Sequence, residues 1–295
     1  MRGGMVPGCS EPPQGEMETM IRRTRMGVAI ALIAALATVG IATGCGGGGG
    51  NTTAASGGGG KLGLITPGTL TIGSDIPYPP FEQGKPPDYT GFDVDLMDAI
   101  AKKLNLQPKW VDTSFATIFS DQQAGKFDIV ASSTTITPAR SKKVTFSKPY
   151  YDADQSLMVQ KGSDLQSTSD ITSDTIIAAQ EGTTGQDYAE KKTDAQVQTF
   201  PAIGTVFNAL QAGQVDGVIN DFSVSAFALK KYPQLDVVQT IATGEHYGFP
   251  MQKSNTALQN AVNGALQDVM NDGTYEKIFE KWFNEKPPKE FQPSS

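Results

Sequence analysis

Arg140 is the residue whose type and position most strongly suggest a chemical role. In the segment SSTTITPAR (132–140), Thr137 is predicted to be a helix N-cap and Pro138 the first helical residue, which gives Arg140 the third helical position. A helix start favours negative charge there, because its free amides and its macrodipole are both positive. A cation in this place predicts that Arg140 binds an anion. A solvent-facing arginine in a surface ion pair explains the segment equally well.

Polar residues follow several of the predicted strands. Asp75 ends the first strand, residues 132–135 follow the third, residues 182–184 follow a strand over 175–180, and Asp221 ends another. In open α/β sheets, ligands bind beyond the carboxyl ends of the strands. The sequence therefore predicts one polar pocket that contains a cation, carboxylates, hydroxyls and helix-start amides.

The composition argues against several classes of function. The chain has one histidine, His246, and it offers no Ser-His-Asp or Cys-His grouping, no zinc-ligand spacing and no GK[ST] phosphate loop. We therefore expect no metal, no cofactor and no enzymatic activity, although Asp and Glu pairs leave a carboxylate-catalysed reaction open. The net charge of −7 and the shortness of the basic runs argue against nucleic-acid binding.

The N-terminal region has the features of an export signal. Arg22, Arg23 and Arg25 precede an apolar stretch over residues 27–41 that ends in small residues. This stretch is short for a membrane-spanning helix, so we assign residues 1–44 to a signal peptide. The sequence leaves open whether translation begins at Met1 or later, and the alternative starts are Met17, Met20 and Met26.

Cys45 follows the signal in the segment IATGC (41–45), which resembles a bacterial lipobox. It is the only cysteine beyond the signal, and residues 46–60 (GGGGGNTTAASGGGG) have the composition of a flexible tether that spans roughly 20 Å. We therefore predict lipidation of Cys45, a tether over 45–61, and a protein that is periplasmic or anchored to the outer face of the cell membrane. The alternative is soluble secretion after ordinary cleavage.

From Leu70 onward, strand-like apolar runs alternate with helical patterns, which is typical of an α/β protein. The length of 295 residues and the 38% apolar content predict a sizeable core and about two domains. Strands are predicted over 69–75, 108–112, 127–132, 175–180, 216–221 and 247–252, and helices over 93–104, 116–124, 186–192, 206–212, 224–231, 258–270 and 275–283.

Six segments in the same order resemble the extracytoplasmic solute-binding proteins for polar amino acids, family 3, which serve ABC importers. They are SDIPYPPFE (74–82), GFDVDLMDAI (91–100), ITPAR with FSKPYY (136–151), EGTTG (181–185), IND (219–221) and NDGTYEKIFEKWF (271–283). The resemblance implies a two-lobed α/β fold of the periplasmic-binding-protein type II, with two crossovers between the lobes. Lobe 1 would comprise residues 62–154 and 247–286, lobe 2 residues 155–246, and a flexible tail residues 287–295.

The same resemblance implies which residues hold the charged groups of an amino acid. Arg140 would bind the α-carboxylate through a bidentate pairing, with Thr135 and Thr184 as further donors. Asp221 and the carbonyl of Ser133 would bind the α-ammonium. The alternatives are an N-cap role for Asp221 and an ordinary turn at Thr183 and Thr184.

Four further residues are implied to surround the ligand side chain. Tyr78 and Phe115 correspond to an aromatic pair that brackets it, although either residue could belong to the core. Asp75 corresponds to a contact at its far end and favours a cationic or amide-bearing ligand, such as arginine or glutamine. Gln180 stands where some glutamine-binding relatives carry Lys, and its contact with the ligand is left open.

The resemblance implies that ligand binding closes the two lobes and that an ABC permease and its ATPase receive the loaded protein. Two other functions remain on the same fold. One is a sensing module for a membrane receptor, and the other is a dehydratase-like enzyme that eliminates water from cyclic dienyl acids.

Overall fold

The structure is a computed structural model that describes residues 62–292. The predicted signal peptide, the tether and the lipidation site Cys45 lie outside the described residues. Within residues 62–292 the chain forms two five-stranded sheets and a two-stranded hairpin. No helix in this part of the chain is both long and apolar enough to cross a bilayer.

The strands alternate with helices along most of the chain, as predicted. In chain order the strands are β1 (Thr69–Ser74), β2 (Gln83–Lys85), β3 (Asp88–Thr90), β4 (Gln107–Asp112), β5 (Ile129–Val130), β6 (Thr145–Phe146), β7 (Tyr151–Gln160), β8 (Ile176–Gln180), β9 (Gln196–Phe200), β10 (Gly217–Asp221), β11 (Leu235–Tyr247) and β12 (Pro250–Met251).

The helices pack on the faces of the two sheets. They are α1 (Phe92–Lys103), α2 (Ile118–Gln123), α3 (Pro138–Ser141), α4 (Thr184–Lys192), α5 (Ile203–Gln211), α6 (Phe222–Ala228), α7 (Thr256–Asn271) and α8 (Thr274–Phe283), with short 3-10 turns at Thr168–Asp170 and Lys289–Phe291.

The first sheet has the strand order β4-β1-β5-β12-β6. Its strands β4, β1 and β5 run parallel, and β12 runs antiparallel to both of its neighbours. β1 is buried from Leu70 to Ser74, and its Leu70 and Ile72 belong to a large apolar cluster with residues of α1, α7 and α8. The alternation of Leu70 and Ile72 with Thr69 and Thr71 is typical of a strand, which is why β1 could be predicted from the sequence.

The second sheet has the order β11-β7-β10-β8-β9. Strands β10, β8 and β9 run parallel, whereas β7 runs antiparallel to β10 and to β11. β10 is buried along its whole length and ends at Asp221, and β8 ends at Gln180 just before α4. Polar residues therefore lie at the carboxyl ends of the parallel strands of this sheet, as the sequence predicted.

The chain passes between the two sheets twice. It leaves the first sheet after β6 to enter β7, and it returns from β11 to β12. At this junction β7 and β11 pair antiparallel, with Tyr151 opposite Tyr247. The architecture is the predicted two-lobed α/β fold with two crossings. The residue boundaries given above for the lobes stay a prediction.

An aromatic cluster packs beside the crossings. Phe81 lies edge-on to Tyr151 and Tyr247, with ring centroids 5.0 and 5.4 Å apart, and Tyr150 stacks on Phe249 at 4.1 Å. Fully burying a side chain of this kind contributes about 1.5–3 kcal/mol relative to exposure. The cluster therefore fixes the strand ends from which the two lobes diverge.

The C-terminal segment differs from the flexible tail that the sequence suggested from residue 287. Lys289–Phe291 forms a 3-10 turn, and the Phe291 ring is 5% exposed and lies 6.0 Å from the Tyr275 ring. The physical reason is that Phe291 removes its apolar surface from water against α8, which orders the residues around it.

Candidate ligand-binding site

A cleft lies between the two lobes. It contains all nine residues that the sequence placed in a binding site, and it adds Ser132 and Thr183. The lining residues are Asp75, Tyr78, Phe115, Ser132, Ser133, Thr135, Arg140, Gln180, Thr183, Thr184 and Asp221.

Arg140 stands on α3, a helix of four residues that begins as predicted. The Thr137 hydroxyl accepts a hydrogen bond from the Arg140 amide at 3.1 Å, and Pro138 is the first helical residue. Arg140 is only 9% exposed, so the structure does not support the alternative of a surface ion pair.

The Arg140 guanidinium is held mainly by uncharged groups. It donates to the carbonyls of Thr135 at 2.9 Å and Gly182 at 3.0 Å, and it lies over the rings of Phe115 and Phe119 at 5.3 and 5.0 Å. Among the described residues no carboxylate lies within 4.0 Å of it. Burial lowers the pKa of Arg140, and the more distant charges of Asp221 and Glu245 oppose that effect. A buried guanidinium in this setting favours an added anion.

Asp221 is the opposite charge in the same cleft. Although it takes the N-cap position of α6, its side chain makes no capping hydrogen bond. The carboxylate instead accepts hydrogen bonds of 2.6 Å from Tyr78, Tyr247 and Gln155. Burial raises the pKa of Asp221, and these three donors and the Arg140 charge oppose the rise. The N-cap alternative for Asp221 therefore does not describe its side chain.

The hydroxyls of Thr135 and Thr184 meet beside Arg140, with their oxygens 3.4 Å apart. Thr184 opens α4, and Thr183 caps that helix by accepting from the Gln186 amide at 3.2 Å. Thr183 therefore has a local structural role as the N-cap of α4. Thr184 instead points its hydroxyl toward the opposite lobe.

Glu245 and Gln155 belong to this group but were missed by the sequence analysis. The half-buried Glu245 carboxylate accepts from Thr184 at 3.1 Å, from Gln155 at 3.0 Å and from Thr135 at 3.4 Å. Burial raises the pKa of Glu245, and the hydrogen bond from Gln155 opposes the rise. Both residues lie inside long strands, β11 and β7, where no local pattern distinguishes them from ordinary polar positions.

Asp75 and Gln180 close the other end of the cleft. The Gln180 amide donates to the Asp75 carboxylate at 2.5 Å, and the Asp75 backbone amide donates to the Ser132 hydroxyl at 3.0 Å. Burial raises the pKa of Asp75 to about 6, and the hydrogen bond from Gln180 opposes the rise. Tyr78 and Phe115 also line the cleft and are themselves buried, so they serve both the cleft and the packing around it.

Several of these contacts join one lobe to the other. Tyr78 reaches Asp221, Asp75 reaches Gln180, and Arg140 reaches the Gly182 carbonyl. The first residue of each pair is carried by the first lobe and the second by the second lobe. The structure therefore shows the lobes closed over the cleft, with polar groups from both sides in contact.

The sequence profile of the bacterial extracellular solute-binding proteins, family 3, matches residues 70–285. Among curated proteins, the chain is 31% identical to the ABC transporter arginine-binding protein 1 of Escherichia coli (strain K12), over 72% of this chain and 90% of that protein. It is also 31% identical to the ABC transporter glutamine-binding protein GlnH of Bacillus subtilis (strain 168), over 67% of this chain and 74% of that protein.

Solved structures show the same likeness in three dimensions. An ancestral arginine-binding protein bound to arginine matches with a TM-score of 0.70 and 36% identity, over 73% of this chain and 98% of that one. The family profile, which matches residues 70–285, covers every residue that lines the cleft.

Proposed function

The chain belongs to the bacterial extracellular solute-binding proteins, family 3, and we propose that it binds a polar amino acid between its lobes and delivers it to an ABC permease with its ATPase. The site residues would act as the resemblance implies. Arg140, Thr135 and Thr184 would bind the α-carboxylate, and Asp221 and the Ser133 carbonyl would bind the α-ammonium. Asp75, Tyr78 and Phe115 would contact the side chain, and the part of the ligand that Gln180 contacts is left open.

One observation carries this proposal. Arg140 on the first lobe and Asp221 on the second are both buried and both line the same cleft, yet they form no ion pair within 4.0 Å among the described contacts. Two buried opposite charges held apart on different lobes match the two charges of an amino acid zwitterion. Since the removal of either charge from water is costly, each must be paired in the bound state.

For the ligand side chain, the charges in the cleft favour a cation. Arg140 is the cation among the lining residues, whereas Asp75 and Asp221 line the cleft as acids and Glu245 contacts its threonines. A zwitterion adds no net charge, so a cationic side chain beside Asp75 would reduce the remaining negative potential. We therefore place L-arginine first and L-glutamine second, since the Asp75–Gln180 pair can also bind an amide.

The mechanism follows from the division of the site. Because each lobe carries part of the site, the ligand binds the closed form more tightly than the open form and shifts the population toward closure. Closure brings surfaces of both lobes into one arrangement, which a permease can distinguish from the open form.

The ligand is tested by a thermal-shift screen of the twenty amino acids on the mature protein. A ligand present at 100 times its Kd stabilises the native state by about 2.7 kcal/mol, which raises the melting temperature. We expect the largest shift with L-arginine and a smaller one with L-glutamine. No shift with any amino acid would contradict amino-acid binding, and a larger shift with an acidic amino acid would contradict the assigned side-chain pocket.

For the location, we propose that Cys45 is lipidated and that residues 46–61 tether the protein to the outer face of the cell membrane. A two-chain lipid anchor gives stable membrane attachment, whereas one chain binds only marginally. The test is detergent phase separation of cells that express the wild type or Cys45→Ala. We expect the wild type in the detergent phase and Cys45→Ala in the aqueous phase, and equal partitioning of both proteins would contradict lipidation.

A further inference from the structure

Two acids lie directly beneath the cleft and take no part in the ligand contacts described above. Glu82 directly precedes β2, the first strand of the hairpin, and Asp93 lies in the first turn of α1. Both are 0% exposed, and their carboxyl groups are neighbours that both contact Ser133. Among the described residues neither forms an ion pair with Lys, Arg or His.

The hydrogen bonds around this pair are complete only if one acid carries a proton. Asp93 Oδ2 accepts from the Ser133 amide at 3.0 Å and from the Tyr150 hydroxyl at 2.6 Å. Asp93 Oδ1 is buried, and no N–H group or hydroxyl among the described residues donates to it. The neighbouring Glu82 carboxyl group can supply this donor only when it is protonated, because an ionised carboxylate is an acceptor only.

The surroundings also favour the protonated form. The other titratable groups that face the pair are Asp75, Tyr78 and Tyr150, with Tyr275 beyond Tyr150, and each of them is an acid or a phenol. Burial raises the pKa of Glu82 well above its usual value, and the nearby charge of Asp93 adds to the rise. Two like charges in a site that excludes water are relieved when one proton is retained.

Both acids accept hydrogen bonds from one residue of the cleft, Ser133. Glu82 accepts from the Ser133 hydroxyl at 3.1 and 3.4 Å through its two oxygens, and Asp93 accepts from the Ser133 amide. The backbone of Ser133 has a φ of 45°, in the left-handed region that a residue with a side chain rarely adopts. Such a conformation persists where the surrounding contacts enforce it.

We propose that Glu82 and Asp93 share one proton and that this pair is a positioning device, which holds Ser133 so that its carbonyl faces the ligand α-ammonium. The proton resides on Glu82 and is donated to Asp93 Oδ1. The positioning of the Ser133 carbonyl rests on the proposed function, whereas the shared proton does not depend on any ligand.

The proton is tested by infrared spectroscopy of the ligand-free protein, through the C=O stretch of a protonated carboxylic acid. The measurement is made at about pH 8, roughly two units above the pKa of about 6 of Asp75, so that Asp75 is ionised. We expect this band in the wild type and its loss in Glu82→Gln. Identical spectra for the two proteins in this region would overturn the proposal.

The positioning role is tested by the affinity for L-arginine, or for the amino acid with the largest thermal shift. Glu82→Gln retains both hydrogen bonds of the protonated acid, so we expect a Kd within about threefold of the wild type. Glu82→Met is similar in length but leaves Ser133 Oγ and Asp93 Oδ1 without partners, so we expect a Kd at least about tenfold weaker.

The control is Val262→Ala, which removes buried volume from α7 without altering the polar contacts of Ser133. This control separates the effect of lower stability from the effect of a displaced Ser133. We expect a lower melting temperature with an unchanged Kd. If Glu82→Met does not fold, Ser133→Ala removes the same hydroxyl contact, and we expect its Kd to be at least about fivefold weaker.

Two results would overturn the positioning role. One is a wild-type Kd in Glu82→Met or, in its place, Ser133→Ala. The other is an equal loss of affinity in Glu82→Gln and Glu82→Met. A wild-type protein that binds no amino acid would contradict the proposed function instead, and the infrared result would still decide whether the proton is shared.

Discussion

The two charged sides of the cleft are satisfied to different extents. On the second lobe, Asp221 already accepts three hydrogen bonds of 2.6 Å from neutral donors. On the first lobe, Arg140 donates to two backbone carbonyls and contacts two aromatic rings. The protein therefore already supplies hydrogen bonds to the Asp221 carboxylate, which oppose the effect of its burial, whereas Arg140 has no anionic partner within 4.0 Å among the described residues and depends more on the charge that a ligand brings.

This difference has a physical consequence for recognition. A carboxylate solvated by phenols and an amide can attract an ammonium at moderate cost, since its hydrogen bonds are retained. A guanidinium that faces carbonyls gains a bidentate, charge-assisted pairing only when a carboxylate arrives. We therefore expect the α-carboxylate to contribute more to ligand affinity than the α-ammonium does.

The largest effect is expected from Arg140→Ala. It removes the partner of the buried ligand carboxylate, so the affinity should fall by about 2–5 kcal/mol, the range for one lost member of a buried charge pair. Arg140→Lys keeps the charge but lacks the planar fork, and it should recover only part of the loss. Isothermal titration calorimetry measures both. An Arg140→Ala variant with wild-type affinity would contradict the role of Arg140.

A smaller loss is expected from Asp221→Asn. The amide keeps a similar shape, but the ligand ammonium loses its counter-charge, so the affinity should fall by about 2 kcal/mol. The control is Asp236→Asn on β11, an exposed position of the second lobe, which should leave the affinity unchanged. If Asp221→Asn cost more affinity than Arg140→Ala, the ranking of the two sides would be reversed.

The next effect is a pH dependence at the Asp75 end. With a pKa of about 6, Asp75 is mostly ionised at neutral pH and becomes protonated as the pH falls through 6. The affinity for L-arginine should therefore weaken about five- to tenfold between about pH 7 and pH 5, because the side-chain cation loses its partner. Asp75→Asn should abolish this dependence. Calorimetry across this pH range would contradict the assignment if wild type and Asp75→Asn gave parallel profiles.

The smallest effect is expected from Glu245→Gln. The Glu245 carboxylate accepts hydrogen bonds from Thr135 and Thr184, the two hydroxyls that we assign to the ligand α-carboxylate. Its negative charge therefore repels the α-carboxylate. Its removal should strengthen binding by about 0.5–1 kcal/mol, the size of a like-charge interaction at a partly solvated site. The Kd of Glu245→Gln for L-glutamine, which carries no side-chain charge, is the direct measurement. Weaker binding of L-glutamine would show that Glu245 assists the ligand instead.

Sequence reasoning recovered the parts of the site that depend on local patterns. Asp75, Ser133, Thr184 and Asp221 follow buried apolar strands, and their place at the sheet edges follows from that position alone. The start of α3 was predictable for the same reason, since Thr137 and Pro138 are strong local signals. The pairing of these residues across the two lobes was supplied by the family resemblance and not by any local pattern.

The missed residues share a different property, because their roles arise from contacts that are distant in sequence. Gln155 and Glu245 lie in the strands β7 and β11, whose polar positions alternate without a distinguishing motif. Glu82 and Asp93 stand in motifs that the sequence analysis recognised, but nothing local indicates that both are fully buried against Ser133. Burial of an acid is a tertiary property, and it becomes visible only when the partner is in place.

The most direct test of the account compares L-arginine with agmatine, which has the same side chain and amine but lacks the α-carboxylate. In the wild type, calorimetry should show at least about a hundredfold tighter binding of L-arginine, equivalent to about 2.7 kcal/mol. In Arg140→Ala the difference should fall below about tenfold, since the guanidinium that recognises the carboxylate is gone. Equal affinity of the wild type for the two compounds would contradict the claim that Arg140 binds the carboxylate of a zwitterion in this cleft.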